Sequence, residues 1–207
     1  MNAEKLNPFI DAIDMLFHFF ILNLVFLITC LPVFTIGTAL SSMYYVVIKE
    51  TKGEYGYVVR TYLREFKRNF KNGTIAFLLL SAVGIVLLFN LMFWPVQGNR
   101  FSSVVTGVLA VLAVIWLIVS HYTYPLIGRF VNTPLNSIKN AWGLALRNIK
   151  KTLLLLLLDA AIVGFYLFFP LKIILMVVPA FGFVLPVYWR SRILIKVFAP
   201  YEEQKAN

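Results

Sequence analysis

From residue 152 to 170 the chain reads TLLLLLLDAAIVGFYLFFP, and from 104 to 120 it reads VVTGVLAVLAVIWLIVS. Both are apolar on every face, whether wound as helix or drawn out as strand, and a segment of this kind has to leave water. Further runs near the twenty residues that cross a hydrocarbon core cover 15–36, 74–95, 101–127 and 173 to about 195, so with 152–170 there are five. Composition agrees: 60% of 207 residues are hydrophobic and only 14% charged, more apolar surface than a water-soluble domain of this length can hide. Backbone groups in lipid need internal partners, which leaves helices or a closed barrel. The barrel would need short alternating segments, and these runs do not alternate. The expected fold is all-α, one polytopic transmembrane domain over 1–207.

The first run ends in LITC at Cys30, which faintly resembles a lipoprotein cleavage site, but its flank carries Lys5 against Glu4, Asp11 and Asp14, and Pro32 follows closely. An export signal has a positive leading region, so a retained helix is expected. A single cysteine and two isolated histidines give neither an intramolecular disulfide nor a metal-ligand spacing, and no cofactor is expected.

The net charge of +10 is unevenly spread. Seven Lys and Arg fall in 49–71, five in 129–151 and four after Tyr188, namely Arg190, Arg192, Lys196 and Lys205; Arg100 and Lys172 stand alone in the other connections. The positive-inside rule makes the rich segments cytoplasmic, with a cytoplasmic C-terminus in the cell membrane. That accounts for the basic excess without nucleic acid. Five crossings put the N-terminus outside. The apolar run 37–48, GTALSSMYYVVI, leaves an alternative: it is too short to span alone, yet as part of a sixth crossing it brings the N-terminus inside.

Two cytoplasmic amphipathic helices are expected. In the first, Val59, Tyr62, Leu63, Phe66 and Phe70 recur at helical spacing while Arg60, Arg64, Lys67, Arg68 and Lys71 follow one step round. It should lie along an anionic inner leaflet before the chain turns into the next span, holding the topology or offering a docking surface for a partner or lipid. The second starts with Thr133 as cap and Pro134 at the first helical position, and Leu135, Ile138, Trp142, Ala145 and Ile149 form its stripe, with Arg147 beside it. Arg68-Asn69-Phe70-Lys71 matches Arg147-Asn148-Ile149-Lys150, each just before a span, which suggests two weak parallel repeats of about 15–95 and 101–195. Chance similarity among Leu-rich segments is the rival reading.

The segment 23–71 closely resembles the signature of the YesL family, bacterial integral membrane proteins of about this length with no assigned function. The matching residues are Asn23-Leu24, Cys30-Leu31-Pro32, Phe34-Thr35-Ile36-Gly37, Tyr44-Tyr45, and Gly53-Glu54 with Gly56-Tyr57 before the spaced aromatics and cations. Many relatives have Pro where this chain has Thr38. The resemblance implies a companion of carbohydrate uptake in Gram-positive bacteria, encoded beside sugar ABC importers, and it carries over no catalytic or binding residue.

Among intramembrane polar groups Asp159 stands out, eight residues beyond Lys151 and so about 12 Å along the helix. A carboxylate at that depth costs at least about 2.5 kcal/mol and is either a hydrogen-bonding staple between helices or part of a proton relay. His18, His121, Asn23, Asn90, Tyr122 and Tyr124 are its candidate partners. No HExxH, paired-carboxylate, nucleophile-base or GxxxxGK[ST] pattern occurs, so enzyme activity is not expected. Two functions stay open: an accessory or regulatory subunit of an importer, and a small stand-alone transporter, with homo-oligomer formation compatible with either. Cysteine probes at Asn99 and Asn136 should label from opposite faces of the membrane; labelling from one face overturns the alternation of the charged connections. A third probe at Asn2 decides between the five- and six-crossing forms.

Overall fold

The computed structural model describes residues 8–206 apart from Tyr55, with side chains described for 13–202. Glu4 and Lys5 and the side chains of Asp11 and Lys205, used in the charge reading, lie outside these. The described residues form eight α-helices and no strand: α1 (Pro8–Thr29), α2 (Ile36–Thr51), α3 (Val58–Val96), α4 (Arg100–Arg129), α5 (Pro134–Arg147), α6 (Ile149–Phe168), α7 (Leu171–Phe181) and α8 (Val184–Ala206). Three of them, α3, α4 and α6, are long and apolar enough to cross a membrane. The pair α7 and α8, bent by 61°, makes a fourth if counted as one span.

The breaks have local causes. The expected first span, 15–36, stops at Thr29 because Pro32 disfavours helix in the residue before it and has no N–H to continue the ladder. Thr35 then closes the turn by donating its hydroxyl to the carbonyls of Thr29 and Pro32, both at 2.6 Å. With this join at one end and His18 Nδ1 3.4 Å from Glu50 Oε2 at the other, α1 and α2 form an antiparallel hairpin. The expected last span, 173–195, is likewise broken, at Gly182.

By contrast the expected turn between the first amphipathic helix and its span is missing. Residues 58–96 form one helix of 39 residues, about 58 Å long at 1.5 Å per residue. The cationic stretch is therefore the lower part of a long rod rather than a separate surface helix. α5 does stand apart, with Thr133 accepting from the N–H of Asn136 and Pro134 first in the helix, as its sequence predicts. The matched tetrapeptides are also housed differently: Asn69 is buried within α3, whereas Asn148 forms the break between α5 and α6.

Helix directions follow from the side-chain contacts. α2 runs antiparallel to α3, with Thr38 Oγ1 donating to the carbonyl of Phe70 and meeting Thr74 Oγ1. α3 and α4 are antiparallel through Arg68 to the Gly128 carbonyl and Trp116 Nε1 to the Leu80 carbonyl. α6 and α8 are antiparallel through Lys151 to the Lys196 carbonyl and Tyr166 to the Gly182 carbonyl. The last turns of α2, α4 and α8 meet where Glu202 takes hydrogen bonds from Lys52 and Arg129, each 2.6 Å long. The first half of α1, at His18, thus lies at the same end of the bundle as α8's C-terminal end.

At the centre lies α2, the run whose shortness left it ambiguous. It buries Gly37, Thr38, Ala39, Ser41, Ser42, Met43, Tyr44, Val46, Val47 and Ile48. Its helix comes so close to α3 and α4 that a Cβ on Gly73 would sit 2.6 Å from Thr38 Cα, and one on Gly128 2.4 Å from the Ser41 carbonyl oxygen. Overpacking at such contacts typically costs about 1–3 kcal/mol. Gly73→Ala and Gly128→Ala should each lower the detergent-solubilised protein's thermal stability, while Gly107→Ala, where a Cβ meets nothing within 4 Å, should not. Equal behaviour of the three variants contradicts the close approach.

Candidate functional site

Asp159 sits midway along α6 and is 9% exposed. Its Oδ1 accepts from Arg190 Nε at 3.0 Å and from Arg190 Nη2 at 2.5 Å. Its other oxygen, Oδ2, lies 2.5 Å from His121 Nε2 on α4, at ion-pair distance but without hydrogen-bond alignment. The Tyr44 hydroxyl of α2 lies beside the Arg190 guanidinium. Four helices, α2, α4, α6 and α8, therefore converge on one buried charge pair. With Asp159 ionised and Arg190 charged the pair is neutral, and a proton on His121 gives the cluster one net positive charge.

His121 was among the partners expected for Asp159, but Arg190 was not, because the charge pattern assigned it to the cytoplasmic flank. The 61° bend between α7 and α8 and the antiparallel pairing with α6 bring it inward. Of the other expected partners, Tyr122 bonds Thr152 Oγ1 at 3.0 Å and fastens α4 to the α5–α6 elbow. Tyr124 packs against the buried core. Asn90 stays within its own helix, donating to Val86 and accepting from Trp94 Nε1. His18 is paired with Glu50, far along the chain from Asp159.

Asn23 has a different task. Its amide nitrogen donates to the carbonyls of Val178 (3.0 Å) and Pro179 (2.8 Å), and its oxygen accepts from the N–H groups of Phe183 and Val184 (both 3.1 Å). One fully buried side chain thereby satisfies the end of α7 and the start of α8 together. An Asn within the first apolar run was the available signal; its target was not legible because it lies about 155 residues away.

At the cationic end the expected contact residues divide. Tyr62 is fully buried, its hydroxyl 2.6 Å from Thr29 Oγ1, with Phe66 stacked beside it at 6.2 Å. Tyr62 is core rather than a docking anchor, because it belongs to the 58, 62, 65, 69, 73, 76, 80 seam that α3 buries, whereas Phe66 is half-buried at the edge of that seam. The seam includes Glu65, buried at 1% and ion-paired with Arg68, a residue the apolar pattern had passed over. Arg68 also bonds the Gly128 carbonyl at 3.1 Å and lies over the Tyr45 ring, so its role is to join helices. Arg60 and Arg64 are exposed and, with Lys67, Phe17 and His18, line an open groove of about 1140 Å³ between α1 and α3; Lys71 is exposed further along. On α5, Ile138 and Ala145 face inward with Ser137, Ala141 and Leu144, whereas Leu135, Trp142 and Leu146 face out, followed by Ile149 at the start of α6. The expected stripe straddles the edge of the buried face. Arg147 is exposed, its Nη1 3.5 Å from the Tyr201 hydroxyl of α8. Among the described residues no group of His, Cys, Asp and Glu could hold a metal ion.

Residues 19–91 match the model of a family described as "Protein of unknown function, DUF624". That similarity covers about a third of the chain: the second half of α1, all of α2 and nearly all of α3, with Asn23, Tyr44 and the α3 seam inside it and His121, Asp159 and Arg190 beyond it. No curated protein and no solved structure matches the chain.

Removing one member of a buried ion pair costs about 3–5 kcal/mol, because the other charge is left uncompensated. Size and hydrogen bonding alone suggest that Asp159→Asn is mild, but it strands Arg190. Asp159→Asn and Arg190→Leu should each lower the unfolding temperature strongly, and Asp159→Leu combined with Arg190→Leu should recover most of the loss. Additive losses in the double variant would show that the residues do not act as a pair.

Proposed function

We propose that this chain is an accessory or regulatory subunit of the cell membrane, its cationic end in the cytoplasm, which binds the membrane subunits of a carbohydrate ABC importer. The observation carrying this reading is the outer face of α5. That helix already buries one side in its own bundle, yet presents Leu135, Trp142 and Leu146 outward beside the start of α6. An aromatic residue flanked by aliphatics at the membrane interface is the kind of anchor that carries interface energy, more than rim cations do. The choice of a sugar importer as partner rests on the resemblance of 23–71 to the YesL family. A binding role, not a catalytic one, also suits a buried cluster whose carboxylate is already engaged by Arg190.

A second reading, a stand-alone transporter, draws on the break between α7 and α8, since interrupted membrane helices form solute sites in many transporters. It has to contend with Asn23, whose side chain takes up peptide groups at that break. Extraction in mild detergent should recover importer membrane subunits with the wild-type chain, and Trp142→Ala with Leu146→Ala should reduce that recovery at least tenfold at unchanged abundance. Full retention by the double variant refutes docking through α5. Solute flux into liposomes holding this protein alone establishes the transporter reading in its place.

A further inference from the structure

Between α4, α5 and α8, on a face of α5 other than its outward apolar stripe, lies a cleft of about 360 Å³. This is within the size range of small-molecule sites, which join apolar walls to a few converging polar groups. Its floor is aromatic: Phe130 and Phe198 meet edge to face with centroids 5.7 Å apart. Its rim is polar and cationic. Lys139, Gly143 and Arg147 recur every fourth residue along α5, so two cations flank a position with no side chain, and Asn132 and Asn140 add amides. A Cβ on Gly143 would meet nothing within 4 Å, so the glycine leaves the space between the cations open. The described lining contains no carboxylate. Glu202, the acidic residue next to Tyr201 on the wall, is occupied by Lys52 and Arg129.

We infer that this cleft is a binding site for a phosphate group carried on a ring or other apolar body, the phosphate held between Lys139 and Arg147 and the body resting on Phe130 and Phe198. Arginine and lysine are the residues that take phosphate oxygens, and an aromatic floor selects a ligand with an apolar part over the free ion. A lipid headgroup and a soluble phosphomonoester share this chemistry. The site is independent of the docking face on α5, and its test uses the isolated protein.

The test is equilibrium binding of phenyl phosphate to the full chain in a neutral detergent. Saturable binding is expected, with inorganic phosphate and phenol each at least tenfold weaker. Gly143→Leu starts from a Cβ position with open space around it and projects into the cleft, so it should weaken binding at least tenfold, as should Lys139→Gln with Arg147→Gln, both at unchanged thermal stability. Displacement of the probe by phosphatidylglycerol but not by phosphatidylcholine assigns the natural phosphate to a lipid, and retention of the probe against both assigns it to a soluble molecule. Binding that is unchanged in Gly143→Leu, or equal for phenol and phenyl phosphate, overturns the site.

Discussion

The close approach of α2 to α3 and α4 is the contact on which the other helices depend. Within lipid, burying an apolar side chain against a neighbour gains little over leaving it among acyl chains, so association relies on dispersion at short range and on hydrogen bonds. α2 suits this condition. Gly37, Ala39, Ser41 and Ser42 keep its surface narrow, and the two serines return their hydroxyls to the carbonyls of Gly37 and Thr38 at 2.7 and 2.8 Å. Opposite them stand Gly73 on α3 and Gly128 on α4. The backbones meet with no buried hydroxyl of α2's serines left without a partner, and α8 packs on the same hub through Tyr44 and Lys52.

Polar groups extend this hub outward in two steps. Asn23 fixes the bend of α7 and α8 to α1, and the bend directs Arg190 to Asp159. α6 shares few other contacts with the bundle: within it only Thr152, Leu155 and Asp159 are buried. Thr152 is held by Tyr122 and Asp159 by Arg190, so α6 depends mainly on polar attachments along an otherwise exposed apolar helix. A charge pair in that position is costly to place there and costlier to break, which favours specificity of helix register over raw stability.

Much of this was legible in the sequence, and what was missed has identifiable causes. Helices in the apolar runs at 74–95, 101–127 and 152–170 follow from length and uniform apolarity, and the cap at Thr133 from its own three residues. α2 was obscured because span length is a test for helices facing lipid, whereas a helix wrapped by other helices can be shorter; the small residues of GTALSS were the available signal. Tyr62 reads as part of an outer aromatic face because Glu65 and Asn69, beside it on the true inner face, are polar. Arg190 was counted as topology, since no periodicity in α8 shows that a bend at Gly182 turns it inward.

The two ends of the bundle differ in a way that bears on where it works. Beyond Leu80 on α3, and before Val119 on α4 apart from Ser102, the described side chains of this helix pair are not buried, and α7 buries none. Side chains there, such as Phe89, Met92, Val104 and Val108, meet the surroundings directly. At the cationic end α2, α3, α4 and α8 are joined through Glu202 and Arg68 among others, and α5 packs its buried face against α4. A ligand or partner that touches the exposed parts of α3 and α4 meets side chains that are not packed into the core. One that touches the cationic end meets the last turns of α2, α4 and α8 together, and through α8 it reaches Arg190, Asp159 and α6. Packed side chains, hydrogen-bond networks and rigid helices carry coupling between sites, and here such a set begins at the cationic end.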